Sequence, residues 1–235
     1  MRLFHLTFVL CGTVALAGGP HSGAQAADSS LQAVFKRMDE ASPKFKGLKA
    51  DVKKLAHVDV INDDTVDIGT IVVRVPKPHD LQMLFDFKQP DQKTVQIEGA
   101  KVQIYYPKTN TVQEYDLGKN HKAQVEQFLK LGFGSNSRDL QDSFAVTLGG
   151  PETIGGESAT RIELIPKSKD LLATFPKFEL WISDKTGISV QQKMYQPGKD
   201  YSLATYTNMQ ILPNIPESAV KLNLPKNVNR EHPLK

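Results

Sequence analysis

Most of the chain after residue 46 alternates between apolar and polar side chains, and prolines and glycines interrupt this alternation at short intervals. The clearest run is residues 81–88, where Leu81, Met83, Phe85 and Phe87 alternate with polar residues and only Leu84 breaks the pattern. Because successive side chains of a strand point to opposite faces, this period of two predicts strands with one apolar face. The frequent breaks predict many short strands, mostly antiparallel, rather than long helices.

Two segments have the period of a helix instead. Residues 31–41 follow a serine that can cap a helix, and Pro43 stops the helix shortly after them. Four apolar side chains of this segment share one face: Leu31, Val34, Phe35 and Met38. Residues 121–131 form a second such pattern, with Phe128 and Leu129 on its apolar side. The sequence therefore predicts an α+β protein, mainly antiparallel β, whose ten to eleven strands curl or close because so large a sheet does not stay flat.

In a curved sheet, one face of every strand points inward, and the inward set is unusually apolar. The residues expected to line an apolar cavity are Ile71, Val73, Met83, Phe85, Phe87, Ile104, Tyr106, Ile162, Leu164, Leu180, Ile182 and Met194. Apolar walls with few polar groups select apolar ligands, and an acyl chain gains about 0.8 kcal/mol per buried CH₂ group. Lipid acyl chains are therefore the expected ligand.

The first 26 residues have the pattern of a cleavable export signal, with Arg2, an apolar stretch over residues 3–16 and a cleavage site at Ala24-Gln25-Ala26. We expect one domain over residues 27–225 and a poorly ordered tail over 226–235, working outside the cytoplasm, most simply in a bacterial periplasm. The only cysteine, Cys11, would leave with the signal. Lipidation of Cys11 is the alternative, but Leu10 is too bulky for that signal.

Motifs for chemistry are missing from the sequence. The histidines after the signal, at positions 57, 79, 121 and 232, lack the spacing of metal ligands, so we expect no metal and no cofactor. The formal net charge is only +3, without a basic stripe, which argues against nucleic-acid binding. A binding protein is favoured over an enzyme, and a hydrolase acting on lipid is the alternative.

Three motifs in order carry a resemblance to a known family: GTIVVRVP at residues 69–76, LFDFKQP at 84–90 and VQIYYP at 102–107. Shorter matches follow at residues 131–134, 179–182, 206–208 and 224–225. Together they resemble the periplasmic lipoprotein-carrier family of the Lol system.

The resemblance implies an incomplete, half-open β-barrel with a helical lid formed by the two helices described above. It also implies a monomeric carrier that takes lipoprotein acyl chains from an inner-membrane release complex to an outer-membrane acceptor. In that family an arginine directly before the first motif's proline holds the lid closed. Here Val75 has that place, and Arg74 or Lys77 are the candidates for the lock. Relatives with this fold include carriers of other lipids and sensors of envelope stress, so a regulatory module that binds lipid or envelope proteins is the alternative.

Overall fold

The computed structural model describes residues 30–77, 80–116 and 131–233 of the 235-residue chain. Within these ranges, twelve strands form a single sheet: β1 (Gly47–Val58), β2 (Asp63–Lys77), β3 (Asp80–Gln89), β4 (Lys93–Glu98), β5 (Lys101–Tyr106), β6 (Thr111–Asp116), β7 (Phe144–Ile154), β8 (Glu157–Pro166), β9 (Phe178–Ser183), β10 (Ser189–Tyr195), β11 (Tyr201–Ile211) and β12 (Asn229–Glu231). The described residues also contain three α-helices: α1 (Leu31–Ala41), α2 (Ser137–Ser143) and α3 (Lys169–Thr174).

The sheet consists of two antiparallel meanders joined side by side. Its strand order is β12-β6-β5-β4-β3-β2-β1-β11-β10-β9-β8-β7, and the two meanders, β1–β6 and β7–β11, meet where β1 pairs with β11. All neighbours are antiparallel except β12, which runs parallel to β6. The end strands β12 and β7 do not pair with each other, so the barrel is open, and this confirms the half-open barrel predicted from the sequence.

The sheet is strongly curved. Val95 on β4 and Phe178 on β9 lie six strands apart in the sheet order, yet both border the same cavity. Six steps of about 4.8 Å would separate them by roughly 29 Å in a flat sheet. Curvature therefore gives the sheet a concave face, which carries the inward residues of every strand.

Two apolar clusters occupy the concave face. The first is built on β1, β2 and β3 around Phe45: Leu48, Ala50, Val52, Ile71, Val73, Leu81, Met83, Phe87, Phe133, Ile188 and Tyr206. The second joins helices α1 and α2 to strands β8 and β9: Val34, Met38, Leu131, Leu140, Phe144, Ile162, Leu164, Phe178, Leu180 and Ile182. Both helices thus lie over the half of the face formed by the second meander.

Helix α1 forms where the sequence predicted it. The Ser30 hydroxyl accepts a hydrogen bond from the Ala33 amide at 3.1 Å, which satisfies one of the free amides of the first turn. Val34, Phe35 and Met38 are buried. After Ala41 the chain tightens into a 3₁₀ turn over Ser42–Lys44 that contains Pro43. Because proline has no amide hydrogen, the α-helical bonding pattern ends there.

The chain near the C-terminus differs from the sequence expectation. After β11, a 3₁₀ helix occupies Glu217–Val220. Residues after 225 were expected to be poorly ordered, but Asn229–Glu231 pair with β6. Three residues carry too little periodicity to mark a strand, and their pairing partner lies more than 100 positions earlier in the chain.

Candidate functional site

The concave face holds an apolar cavity of about 280 Å³ between the two clusters. Its walls come from six strands and from the segment that precedes α2: Val52, Lys54, Met83, Phe85, Phe87, Val95, Ile97, Leu131, Phe133, Phe178, Leu180, Gln192, Lys193, Met194, Ser202, Ala204 and Tyr206. This volume is near the lower end of the ~300–1,000 Å³ typical of small-molecule sites.

One wall of the cavity is a ladder of apolar pairs on β3 and β4. Met83 is paired with Ile97, and Phe85 is paired with Val95, so four apolar side chains form a continuous patch on the same face. The rings of Phe85 and Phe87 stack with their centroids 5.7 Å apart. The alternation that places these residues on one face was visible in the sequence.

The roof of the cavity is a turn that crosses the sheet at residues 131–134. Gln192 on β10 donates a hydrogen bond from Nε2 to the Leu131 carbonyl at 2.7 Å. The Ser189 amide donates to the Gly132 carbonyl at 3.0 Å. The ring of Phe133 packs edge-on against Tyr206, with centroids 5.1 Å apart. Backbone and side-chain hydrogen bonds therefore hold Leu131 and Phe133 over the opening.

Glycine is required in that roof at position 132. Its φ is +81°, a conformation that side chains rarely adopt, and a Cβ there would lie 2.4 Å from the Cβ of Ser189. The backbone at Gly132 therefore crosses closely over β10.

Few polar groups reach the cavity. The Tyr206 hydroxyl donates a hydrogen bond to Oε1 of Gln192 at 3.3 Å, and burial raises the pKa of Tyr206, so the phenol stays neutral. Burial lowers the pKa of Lys54, against the opposing charge of Asp67. The Lys193 ammonium lies 3.9 Å from the centroid of the Tyr201 ring. Apart from Lys54, Lys193, Ser202 and the neutral pair of Gln192 and Tyr206, the residues that line the cavity are apolar.

The structure brings five of the twelve predicted cavity residues to the cavity: Met83, Phe85, Phe87, Leu180 and Met194. Ile71 and Val73 are fully buried in the first cluster. Ile162, Leu164 and Ile182 are fully buried in the second cluster. Ile104 and Tyr106 are half-buried on β5, beside the wall and not on it. Alternation identifies the inward face, but not which part of that face other elements cover.

The residues predicted to form the lid do not border the cavity where the structure describes them. Leu31, Val34 and Met38 pack with the second cluster, and Phe35 is buried, but none of these four borders the cavity. Phe128 and Leu129 lie outside the described residues. The lid residues that do contact the cavity are Leu131 and Phe133.

The two candidates for the lid lock have different surroundings. Arg74 donates from Nε to the Ile215 carbonyl at 2.9 Å and from Nη1 to Oε1 of Gln82 at 2.7 Å. Its guanidinium therefore holds the C-terminal segment against β2 and β3. Lys77 is exposed at the end of β2.

Sequence reasoning missed several cavity residues. Val52, Ala204 and Tyr206 lie on strands whose alternation is loose, and Phe133 lies in a turn. Lys54 was missed because a lysine in a strand is normally assigned to the solvent face, although it shares the parity of the inward residue Val52. That parity was the signal that could have identified it.

Among the residues described, no group of three or more His, Cys, Asp or Glu side chains is placed to hold a metal ion. Across that same part of the chain, none of the helices combines the length and the apolar character that crossing a membrane requires.

Comparison with known proteins identifies the fold. Neither a protein-family model nor a curated protein matches the sequence. Among solved structures, MucB is similar with a TM-score of 0.51 and 13% identity over 85% of this chain. An uncharacterised conserved protein from Thermus thermophilus is similar with the same TM-score and identity, over 86% of this chain and 98% of that protein. At such identities the likeness shows a shared fold.

A LolA superfamily protein from Nitrosomonas europaea is also among the similar structures, with a TM-score of 0.40 and 11% identity over 81% of this chain and 97% of that protein. The chain spans 64% of the length of MucB.

Proposed function

We propose that this protein is a periplasmic carrier that shields the acyl chains of lipoproteins, or of another lipid, in its concave cavity and delivers them toward the outer membrane. The observation that carries the proposal is the cavity itself. It lies open on one side of an unclosed barrel, and its walls are apolar apart from a small number of polar groups.

The energetics of acyl-chain transfer support such a site. A 16-carbon chain loses on the order of 12 kcal/mol of favourable burial when it enters water unprotected. A carrier has to replace most of that burial, yet release the chain to a membrane. The apolar wall contains two flexible methionines, Met83 and Met194, beside Phe85 and Phe87. Such a wall adapts to different positions of the acyl chain.

The test is to purify the protein from the periplasm, extract it with organic solvent and identify released lipid by mass spectrometry. A stoichiometric lipid in the extract, and saturable binding of a fluorescent fatty acid by the emptied protein, are the expected results. A protein that releases no lipid and does not bind the fatty acid would overturn the proposal. Delivery is tested separately, by transfer of bound lipid to acceptor vesicles.

A regulatory role is the second candidate, and the likeness to MucB favours it. MucB has been solved in complex with MucA of Pseudomonas aeruginosa, so one protein of this fold has a protein partner. A sensor would form a stable complex with a membrane regulator, and lipid would change the stability of that complex. A carrier would exchange lipid between vesicles without such a complex, and this difference separates the two roles.

A further inference from the structure

We propose that Lys54 forms the headgroup end of the cavity, where its ammonium group binds the carboxylate or phosphate of an anionic, single-chain lipid. The inference rests on the proposed function and makes its ligand more specific. It comes from Lys54, which borders a mostly apolar cavity, and from the groups around that side chain. The second lysine at the wall, Lys193, already lies over the rings of Tyr195 and Tyr201.

Lys54 lies on the concave side of β1. Val52, two residues earlier on the same strand, is buried in the first apolar cluster, and both residues border the cavity. Lys54 is half-buried, and it forms neither a hydrogen bond nor a close ion pair with any residue in the described part of the chain. Its ammonium group therefore has donors to offer a ligand.

The nearest acid is already engaged. Asp67 on β2 is directly opposite Lys54 in the register, and its side chain is only 8% exposed. Its Oδ1 accepts a hydrogen bond from Nζ of Lys93 at 2.8 Å. The group of Lys54, Asp67 and Lys93 thus carries one excess positive charge beside an apolar cavity.

The excess charge has a cost that a ligand can remove. Burial lowers the pKa of Lys54, and the charge of Lys93 lowers it further, whereas the charge of Asp67 acts in the opposite direction. A buried ammonium without a hydrogen-bonded partner is unfavourable. An anion that enters with its chain along Met83 and Phe85 would supply that partner, and a neutral headgroup would not.

The size of the cavity favours one acyl chain. About 280 Å³ is small for a ligand site, and the first and second clusters fill the concave face on either side. We therefore expect a fatty acid or a lysophospholipid with an anionic headgroup, and the two headgroups share the chemistry that Lys54 recognises.

The test measures displacement of Nile red, a neutral apolar dye, from the full chain by three 16-carbon probes: palmitate, 1-palmitoyl lysophosphatidate and hexadecanol. We expect the wild-type protein to bind both anionic probes at least about tenfold more tightly than hexadecanol, because a charge-assisted hydrogen bond to Lys54 contributes a difference in affinity of that size. Lys54→Met should remove this preference without weakening hexadecanol. Whichever anionic probe binds more tightly identifies the headgroup.

Lys53→Met is the matched control, since Lys53 is exposed on the opposite face of the same strand, and it should leave all three affinities unchanged. Lys54→Gln provides a second neutral variant if Lys54→Met does not fold, and Lys54→Arg should retain the preference. If palmitate and lysophosphatidate bind Lys54→Met or Lys54→Gln as tightly as they bind wild type, the headgroup inference is wrong and the cavity function stands. If no probe binds the wild-type protein, the proposed function fails as well.

Discussion

Arg37 on α1 and Asp184, directly after β9, form an ion pair in which Nη2 of Arg37 lies 2.8 Å from Oδ1 of Asp184. Both side chains are largely buried, with 17% and 13% of their surface exposed. Thr160 joins the pair, because its hydroxyl accepts from Arg37 at 3.2 Å and donates to Asp184 at 2.8 Å. Helix α1 lies so close to the turn after β9 that a Cβ on Gly187 would be 2.4 Å from the Arg37 carbonyl oxygen. These contacts fix α1 on the second meander.

Replacing Arg37 with methionine should loosen α1. Because the change leaves the Asp184 carboxylate without its charged partner, we expect the free energy of unfolding to fall by about 2 kcal/mol. Amide exchange in α1 should accelerate, as measured by hydrogen–deuterium exchange. Lys36→Met, at an exposed position of the same helix, is the control and should change neither quantity. Equal effects of the two variants would show that the pair does not hold the helix.

Two glycines with nearly the same φ angle allow the cost of backbone strain to be measured apart from the cost of close packing. Gly132 has φ +81° and Gly198 has φ +80°, but only Gly132 faces atoms within 4 Å at its Cβ position. Gly198→Ala should cost about 1 kcal/mol from the left-handed conformation alone. Gly132→Ala should cost about 2 kcal/mol more, because the roof has to move away from Ser189 and Gln192. Urea unfolding measures both, and equal costs would contradict the close crossing at the roof.

Filling the cavity should block ligand without unfolding the protein. Ala204 borders the cavity from β11, so Ala204→Phe places a ring in the space that we assign to the acyl chain. We expect affinity for a fluorescent fatty acid to fall at least about tenfold, while unfolding free energy changes by no more than about 1 kcal/mol. Leu203→Phe, on the opposite face of the same strand, is the control. Unchanged affinity in Ala204→Phe would place the ligand elsewhere.

Arg74→Met distinguishes a C-terminal tether from a lid lock. Arg74 binds the Ile215 carbonyl, so its loss should speed amide exchange over Glu217–Val220 and lower stability by about 1–2 kcal/mol. Exchange in α1 should stay as in wild type. Lys77→Met should have no effect, because Lys77 is exposed. Faster exchange in α1, and not near Ile215, would instead identify Arg74 as the lock predicted from the sequence.

Glu179 should make stability depend on pH in the acid range. Burial by itself would raise its pKa, but hydrogen bonds from Lys177 and Tyr195 and the charges of Lys177 and Arg161 hold the pKa below the ordinary value of 4.5. The contribution of ionised Glu179 to the stability of the fold is therefore complete above pH 4.5, and it is lost as the pH falls through the lowered pKa of Glu179.

Glu179→Gln tests this dependence by urea unfolding at several pH values. The variant should be about 2 kcal/mol less stable than wild type at neutral pH, and the gap should close as the pH falls below 4.5. Glu157→Gln is a poor control because Ser183 bonds to Glu157, so the exposed Glu40→Gln serves instead. A gap that is the same at every pH would show that the ionised form of Glu179 is not what stabilises the fold.

The sequence by itself determined the local geometry. Met83, Phe85 and Phe87 lie on one face of β3 because side-chain direction in a strand depends only on residue parity. Helix α1 begins after Ser30 and gives way at Pro43, because a cap and a missing amide act within one turn. The curled, mainly antiparallel sheet followed from the number of such strands.

Only the tertiary structure decided which part of the inward face stays open. Ile71, Val73, Ile162 and Leu164 have the same pattern as the cavity residues, but residues from distant parts of the chain pack with them. The first pair shares a cluster with Phe133, Ile188 and Tyr206, and the second pair shares one with residues of α1 and α2. The position of Lys54 opposite the engaged Asp67 likewise depends on strand register. Parity is a property of neighbouring residues, whereas cover and register depend on contacts between residues far apart in sequence, which local patterns do not encode.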